Sequence, residues 1–373
     1  MNVIGIVCEY NPFHNGHIYQ INKIKEMYKD SIIIVALSSN YTMRGEISVL
    51  DKWTKTKLCL DNNIDIVLEL PYIYASDSAD TYSKHAIRVL NDFKIDTLVF
   101  GSESASLDKL LTISKVQLDN NEFDNLVKEY MSLGLNYPTS LGKAIYKLTN
   151  LEIKDSNDIL GVSYIKEILK NNYNINIVPI KRTNNYKENN TNSNIISAYQ
   201  IREYLKQNKS VSKYIPYDEK YLRKIDYNLL FNLIKYKVIS EKEILSNYHL
   251  VNEGIEKRIY NSILKVDNYE DLVKEITNKR ITINKVNRIL TNIFVGYTKK
   301  ERESIPNYIK ILGLSKKGSK YYKDIKKDIN TKVYTKFEKD IMNTELKTSY
   351  LYSIITNDNT IFKSEIINHT ITK

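Results

Sequence analysis

Short apolar runs alternate with segments of helical period along the front of this chain, and that alternation limits the fold more than any other feature. Val3 to Val7 is an apolar run of strand length. Ser31 to Ser39 (SIIIVALSS), Ile64 to Leu70 (IDIVLEL), Asp96 to Phe100 (DTLVF) and Ile175 to Ile180 (INIVPI) repeat its character. After the first run, Ile18, Ile21, Ile24 and Met27 recur at helical spacing with Lys23, Lys25 and Lys29 among them. Asp51 is a candidate cap for a helix that buries Trp53, Leu58 and Leu60. Pro71 ends the third run, and a helix is expected over roughly Asp77 to Asn91. Strands alternating with helices imply βαβ units, a parallel sheet and right-handed crossovers. In such sheets ligands sit at the carboxyl ends of the strands, where the strand order switches. The candidate segments are therefore Glu9 to His17, Ser38 to Arg44, Pro71 to Asp77 and Gly101 to Glu103.

The first of these carries the most chemistry. The run breaks at Asn11-Pro12, a turn signal, and His14-Asn15-Gly16-His17 opens the helix. The first backbone N–H groups of a helix lack internal partners, and the helix dipole favours negative charge there. Gly16 removes a side chain where a phosphate would approach the backbone. Two histidines add donors able to carry charge near neutral pH. The combination suits a polyphosphate whose charge grows in a transition state. Two His three residues apart are also compatible with metal ligation, or with ordinary polar residues at a helix start.

Other positions fall on the same expected sheet edge. Gly101 follows the fourth run and Lys181-Arg182 the fifth. Ser156 or Asn157 is expected to cap a helix reaching about Lys170, and residues 105–150 read as helical. Residues 183–194 (TNNYKENNTNSN) read as a mobile polar loop. Ser197 is expected to cap a helix carrying Arg202, for which a surface ion pair and a phosphate contact are both open readings.

Charge divides the chain. Residues 1–150 hold 15 Lys and Arg against 18 Asp and Glu, and residues 151–373 hold 40 against 26. A small-molecule site followed by a polyanion-binding region has this pattern. Cations gather at Lys279-Arg280, Lys285, Arg288, Lys299-Lys300, Arg302, Lys316-Lys317, Lys320, Lys323 and Lys326-Lys327. Tyr297, Tyr308, Tyr321 and Tyr322 lie between them and suggest stacking on unpaired bases. With 2 cysteines no disulfide framework is implied, and a reducing cytoplasm is the expected location. The apolar runs are too short to span a bilayer, and the N-terminus lacks the form of a signal peptide. No Cys/His cluster has zinc-site spacing, so no metal ligands are assigned.

Six motifs in order, GIVCEYNPFHNGH (Gly5 to His17), MRGEISVLDKW (Met43 to Trp53), FGSE (Phe100 to Glu103), SNDILG (Ser156 to Gly161), PIKR (Pro179 to Arg182) and ISAYQIR (Ile196 to Arg202), resemble the tRNA(Met) cytidine acetate ligase family of the HIGH-type nucleotidyltransferase superfamily. The resemblance implies an α/β, Rossmann-like (HUP-type) parallel sheet in a catalytic domain over 1–209. It also implies a basic, mainly α-helical tRNA-binding region over 210–373. Acetate and ATP would form acetyl-adenylate and pyrophosphate, and the N4 amine of the wobble cytidine of elongator tRNA(Met) would take the acetyl group. The family's ATP segment falls on Val7, Cys8, Glu9, Tyr10, Asn11, Pro12, Phe13, His14, Asn15, Gly16, His17, Ile18, Tyr19 and Gln20, with further contacts at Gly101, Asn157 and Arg182. Cys8 stands where a small residue such as Ala is common, and Met43 where a polar residue is expected.

On this reading His14 and His17 are catalytic residues that hold the phosphates. Arg182 clamps the β- and γ-phosphates with Arg202 as a further candidate, and Gly101 and Asn157 hold the nucleoside. Lys316, Lys317 and Lys320 are candidate tRNA contacts. Mg2+ is a candidate companion of ATP that Glu9 or Glu103 could influence, although no spacing establishes it. Two other readings are an adenylyltransferase acting on a small phosphorylated metabolite and a non-catalytic RNA-binding protein. The long basic region argues against the first, and the intact His14, Gly16, His17 and Arg182 against the second.

Overall fold

Five parallel strands form where the apolar runs predict them: β1 (Val3–Cys8), β2 (Ile32–Ser38), β3 (Ile66–Leu70), β4 (Thr97–Ser102) and β5 (Asn176–Lys181). They are seen in a computed structural model that describes residues 1–182, 194–304 and 307–373. The order is β5-β4-β1-β2-β3 and each neighbouring pair is parallel. β2 and β3 are buried along their whole length, which is why they read as continuous apolar runs rather than as alternating ones.

Helices α1 (Asn15–Met27), α2 (Lys52–Asp61), α3 (Ala79–Asp92) and α4 (Ser156–Lys170) cover the two faces. Alternation along β1 sorts its side chains between them. Ile4, Ile6 and Cys8 join Ile21 and Ile24 of α1 and Trp53 of α2 in one cluster. Val7 packs into the other, with Ala86 of α3 and Ile165 of α4. The chain places β2 and β3 on one side of β1 and returns to place β4 and β5 on the other. The strand order therefore switches between β1 and β4. Three helices, Leu107–Val116, Asn121–Ser132 and Tyr137–Thr149, fill the stretch expected to be helical. Gly101, expected just beyond its strand, lies inside β4 opposite Ile180.

Beyond residue 210 helices dominate, among them α6 (Tyr227–Ser240) and α7 (Ile283–Val295), which follow α5 (Ala198–Lys206). They share a core with Tyr41 and Ile47 after β2 and with Tyr72 and Ile73 after β3. The sheet nevertheless crosses the expected boundary at 209. β6 (Ile309–Leu314) runs antiparallel beside β3, and β7 (Val333–Tyr334) and β8 (Ile371–Thr372) pair with β6. A six-residue apolar segment inside a helical region has no period of its own, so sequence pattern does not reveal it as a strand. α8 (Lys316–Ile325), α9 (Asn343–Thr356) and α10 (Asn359–Ile367) complete the chain.

Buried charges stitch these late elements to the early ones. Lys52 of α2 lies 2.5 Å from Glu69 of β3 and 2.6 Å from Glu365 of α10. Lys310 of β6 lies 2.7 Å from Glu365, and Glu345 of α9 accepts from the Tyr72 N–H at 2.7 Å. Among the described residues no helix is long and apolar enough to cross a membrane.

Candidate active site

The lip of the sheet at the β1–β4 switch is built by the β1–α1 turn. Tyr10 adopts φ +47°, an uncommon conformation for an aromatic residue, and its ring packs against Phe13 at 4.8 Å and His17 at 4.5 Å. His14 is the N-cap of α1. Its Nδ1 accepts from the Gly16 N–H at 3.0 Å, and the Nδ1 of His17 accepts from the His14 N–H at 3.1 Å. Two histidines thus form a capping box, with ring centroids 3.9 Å apart.

A ring nitrogen that accepts carries no proton, so each imidazole holds its proton on Nε2. Burial favours this neutral form. It pushes the His14 pKa down to about 3, helped by Arg182 and Arg202. His17 is held well below its ordinary value by burial, then by His14 and Arg182. Burial and Arg182 thus oppose the positive charge expected on these histidines. In that neutral form the site presents Nε2–H donors, favoured by desolvation and by the nearby Arg182 charge. Gly16, which lines the cavity, also has a second reason to lack a side chain. A Cβ there would lie 2.7 Å from His14 Cε1, so its bareness makes room for the capping ring.

His14, Gly16, His17, Tyr19, Gln20, Gly101, Lys181, Arg182 and the Ile195–Ser197 segment line one cavity. Of the segment expected from Val7 to Gln20, five residues reach its wall. Cys8, Tyr10 and Phe13 are buried beneath it. Asn11 is used by the fold, accepting from the Val49 N–H at 2.9 Å, and Asn15 donates to the Asn194 carbonyl at 2.8 Å. Ser197 caps α5 through a box with Gln200, as its position predicts.

Arg182 enters from the end of β5. Its guanidinium lies 3.7 Å from Glu103, and its buried Nε makes no hydrogen bond among the described residues. The Glu103 carboxylate also accepts from Asn157 Nδ2 at 2.6 Å and the Asp158 N–H at 3.1 Å. Asn157 is thus neither a cap nor a wall residue. The N-cap position is Asp155, Ser156 is already helical, and Asn157 reaches the site through Glu103. Asp158 was not anticipated. Its buried Oδ1 accepts from Ser102 Oγ at 2.5 Å and the Glu103 N–H at 3.0 Å. An acidic residue in a helix's first turn reads as a dipole effect, and its true partners lie more than fifty positions away.

Arg202 is neither a surface ion pair nor a wall residue. It donates to the Asn11 carbonyl at 2.7 Å and lies 2.9 Å from Glu46, so it pins α5 to the β1–α1 turn. Lys316, Lys317 and Lys320 fall elsewhere. β6 is antiparallel, so its end at Leu314 lies opposite Ile66, at the start of β3. Lys317 donates to the Ser31 carbonyl, just before β2, at 2.9 Å. These lysines sit at the edge away from the cavity, separated by a strand's length of roughly 17 Å. The stacking expected of the tyrosines is also corrected. Tyr297, Tyr308 and Tyr321 are buried, and Tyr322 stacks on Phe93. The expected mobile loop at 183–194 lies outside the described residues except for Asn194. Among the described residues no group of three or more His, Cys, Asp or Glu is placed to hold a metal ion.

A family model described as HIGH nucleotidyl transferase matches residues 1–365. A Clostridium acetobutylicum protein named tRNA(Met) cytidine acetate ligase is 34% identical over 387 residues, covering 95% of this chain and 96% of its own. A Clostridium botulinum protein of the same name is 34% identical over 390 residues, covering 96% and 95%. The apo crystal structure of Thermotoga maritima TmcAL superposes with a TM-score of 0.90 at 25% identity, covering 100% of this chain and 99% of the other. The form bound with alpha-thio ATP gives 0.88 at the same identity and coverage.

Proposed function

The chain belongs to the HIGH nucleotidyl transferase family, among the tRNA(Met) cytidine acetate ligases, and from that premise we propose how its site performs the reaction. It is an ATP-dependent ligase that forms N4-acetylcytidine at the wobble position of elongator tRNA(Met), with acetyl-adenylate as the intermediate. Acetate is a poor acyl donor because its leaving group would be oxide. Adenylation replaces that leaving group with AMP and releases pyrophosphate. The enzyme must hold acetate against the α-phosphorus and stabilise charge on the departing pyrophosphate.

The observation that carries the assignment is the pair of Nε2–H donors at the N-terminus of α1, which line one cavity with Arg182. His14, His17 and the α1 amides take the phosphates, and Arg182 stabilises the charge that grows as pyrophosphate leaves. Gly101 and Gln20 stand where the nucleoside would lie, and Asn157 supports that wall through Glu103. Mg2+, as a companion of ATP, would bind mainly through the phosphates, since the Glu103 carboxylate is already taken by Asn157, Asp158 and Arg182. The buried free thiols Cys8 and Cys59 accord with the cytoplasm as the working compartment.

The test supplies ATP, labelled acetate and unmodified tRNA, and reads label in RNA as N4-acetylcytidine. His17→Ala should lower acetate-dependent ATP–pyrophosphate exchange by about 100-fold or more, with tRNA affinity held within about two-fold because the ring lies in the ATP cavity. Retained exchange with lost tRNA binding would overturn the assignment.

A further inference from the structure

With the phosphates at α1, the geometry of in-line displacement decides where acetate stands. The incoming carboxylate oxygen and the departing pyrophosphate oxygen lie on opposite sides of the α-phosphorus. Acetate, and later the acetyl carbonyl, therefore lies on the side of the strand end away from α1. Alternation along the end of β1 decides which residue faces it. Cys8 and Tyr10 belong to the α1 side, with Tyr10 packed on His17. Glu9 turns to the other. Its Oε1 accepts from the Met43 N–H at 2.7 Å, and it lies within electrostatic reach of Tyr82 on α3 and Tyr164 on α4. Among the described residues its Oε2 accepts no hydrogen bond, and Glu9 is not a wall residue of the ATP cavity. The charged groups around it are Arg44 and Glu46 from the loop after β2 and Lys55 of α2.

We infer that Glu9 is the base of the second half-reaction: its second carboxylate oxygen accepts an N–H from N4 of the target cytosine, aims the amine at the acetyl carbonyl and takes the proton. This rests on the ligase reading above. The exocyclic amine is a weak nucleophile because its lone pair is delocalised into the ring, and a carboxylate accepting one N–H restores density at nitrogen. The N4–C bond forms and the C–O bond of the mixed anhydride breaks. AMP leaves with the electron pair, the N4 proton passes to Glu9, and solvent takes it once AMP departs. Burial raises the pKa of Glu9, while the Met43 N–H and Arg44 draw it back, which makes the group a stronger base than a surface carboxylate. The same oxygen discriminates between pyrimidines. Cytosine offers a donor at this position, whereas uracil offers a carbonyl oxygen that a carboxylate repels.

Glu9→Gln is isosteric and keeps an oxygen for the Met43 N–H. Two rates are read apart on the full-length chain: acetate-dependent ATP–pyrophosphate exchange, and single-turnover acetyl transfer to tRNA from acetyl-adenylate formed on the enzyme. The ratio of transfer to exchange should fall about 100-fold, and the acid limb of the wild-type transfer rate against pH should vanish in the variant. Glu9→Asp should fall between the two. A ratio unchanged within about three-fold, a parallel fall of both rates, or an acid limb that persists in Glu9→Gln would overturn the role of Glu9. Failure of the unaltered chain to place label in RNA, with exchange intact, would instead overturn the ligase reading and this inference with it.

Discussion

The protons of His14 and His17 rest on Nε2 because backbone N–H groups occupy both Nδ1 atoms. Capping and ligand binding thus use opposite edges of the same rings, and one helix start does both. This arrangement has a pH consequence. The folded pKa of His14, about 3, lies below its ordinary value of 6.5. Its contribution to stability is therefore complete above pH 6.5 and is lost as pH falls toward 3, by up to about 1.4 kcal/mol for each pH unit. His14→Asn keeps a side chain able to cap and removes the titration. Urea midpoints at pH 7.5 and 5.0 should differ less in the variant than in the wild type. An equal drop in both would show that the imidazole proton is not on the path.

Among the elements, α4 and the end of β4 form one unit around Asp158. Its carboxylate ties Ser102, Glu103 and Ser104 to the first turn of the helix, and the Glu103 carboxylate returns the contact to Asn157 and Asp158. The β4 tip that carries Gly101 is set by this exchange. Asp158→Ala would strand buried donors, at a cost of about 3 kcal/mol, and should raise the KM for ATP with little effect on tRNA affinity. A stability loss without a change in KM would mean that the tip holds its shape alone. At the other wall, α5 is positioned by its own capping box and by Arg202, whose two contacts, Asn11 and Glu46, come from different loops.

For the whole molecule, late elements complete the sheet and a core begun by early ones. β6 covers the edge of β3, and five buried ionisable side chains, Lys52, Glu69, Lys310, Glu345 and Glu365, meet where α2, β3, β6, α9 and α10 converge. A fragment of residues 1–209 would expose the β3 edge and leave Lys52 and Glu69 without Glu365 and Lys310. It should show no cooperative unfolding transition, whereas the full chain should show one; a cooperative fragment would refute the argument. Within the cluster, burial and the neighbouring Glu69 push the Glu345 pKa up to about 8. A raised folded pKa gives stability that is complete below the ordinary value of 4.5 and is lost as pH rises through about 8. Glu345→Gln should therefore gain on the wild type progressively from pH 5 to 8, by roughly 1–3 kcal/mol at the upper end. A difference independent of pH would place the ionisation elsewhere.

Sequence by itself determined the five parallel strands, the caps at Asp51 and Ser197, and the His14-Asn15-Gly16-His17 helix start. Each of these is a local matter, written in apolar period, turn residues and the donors of one helix end. Tertiary structure alone decided what depends on distant partners. It drew β6 into the sheet, set Asp158 against Ser102, pushed the histidines toward their neutral form and sent Lys317 to the far edge. Burial and proximity govern those outcomes. Neither is a property of a segment, because a strand end acquires its surroundings only when elements hundreds of residues apart close around it.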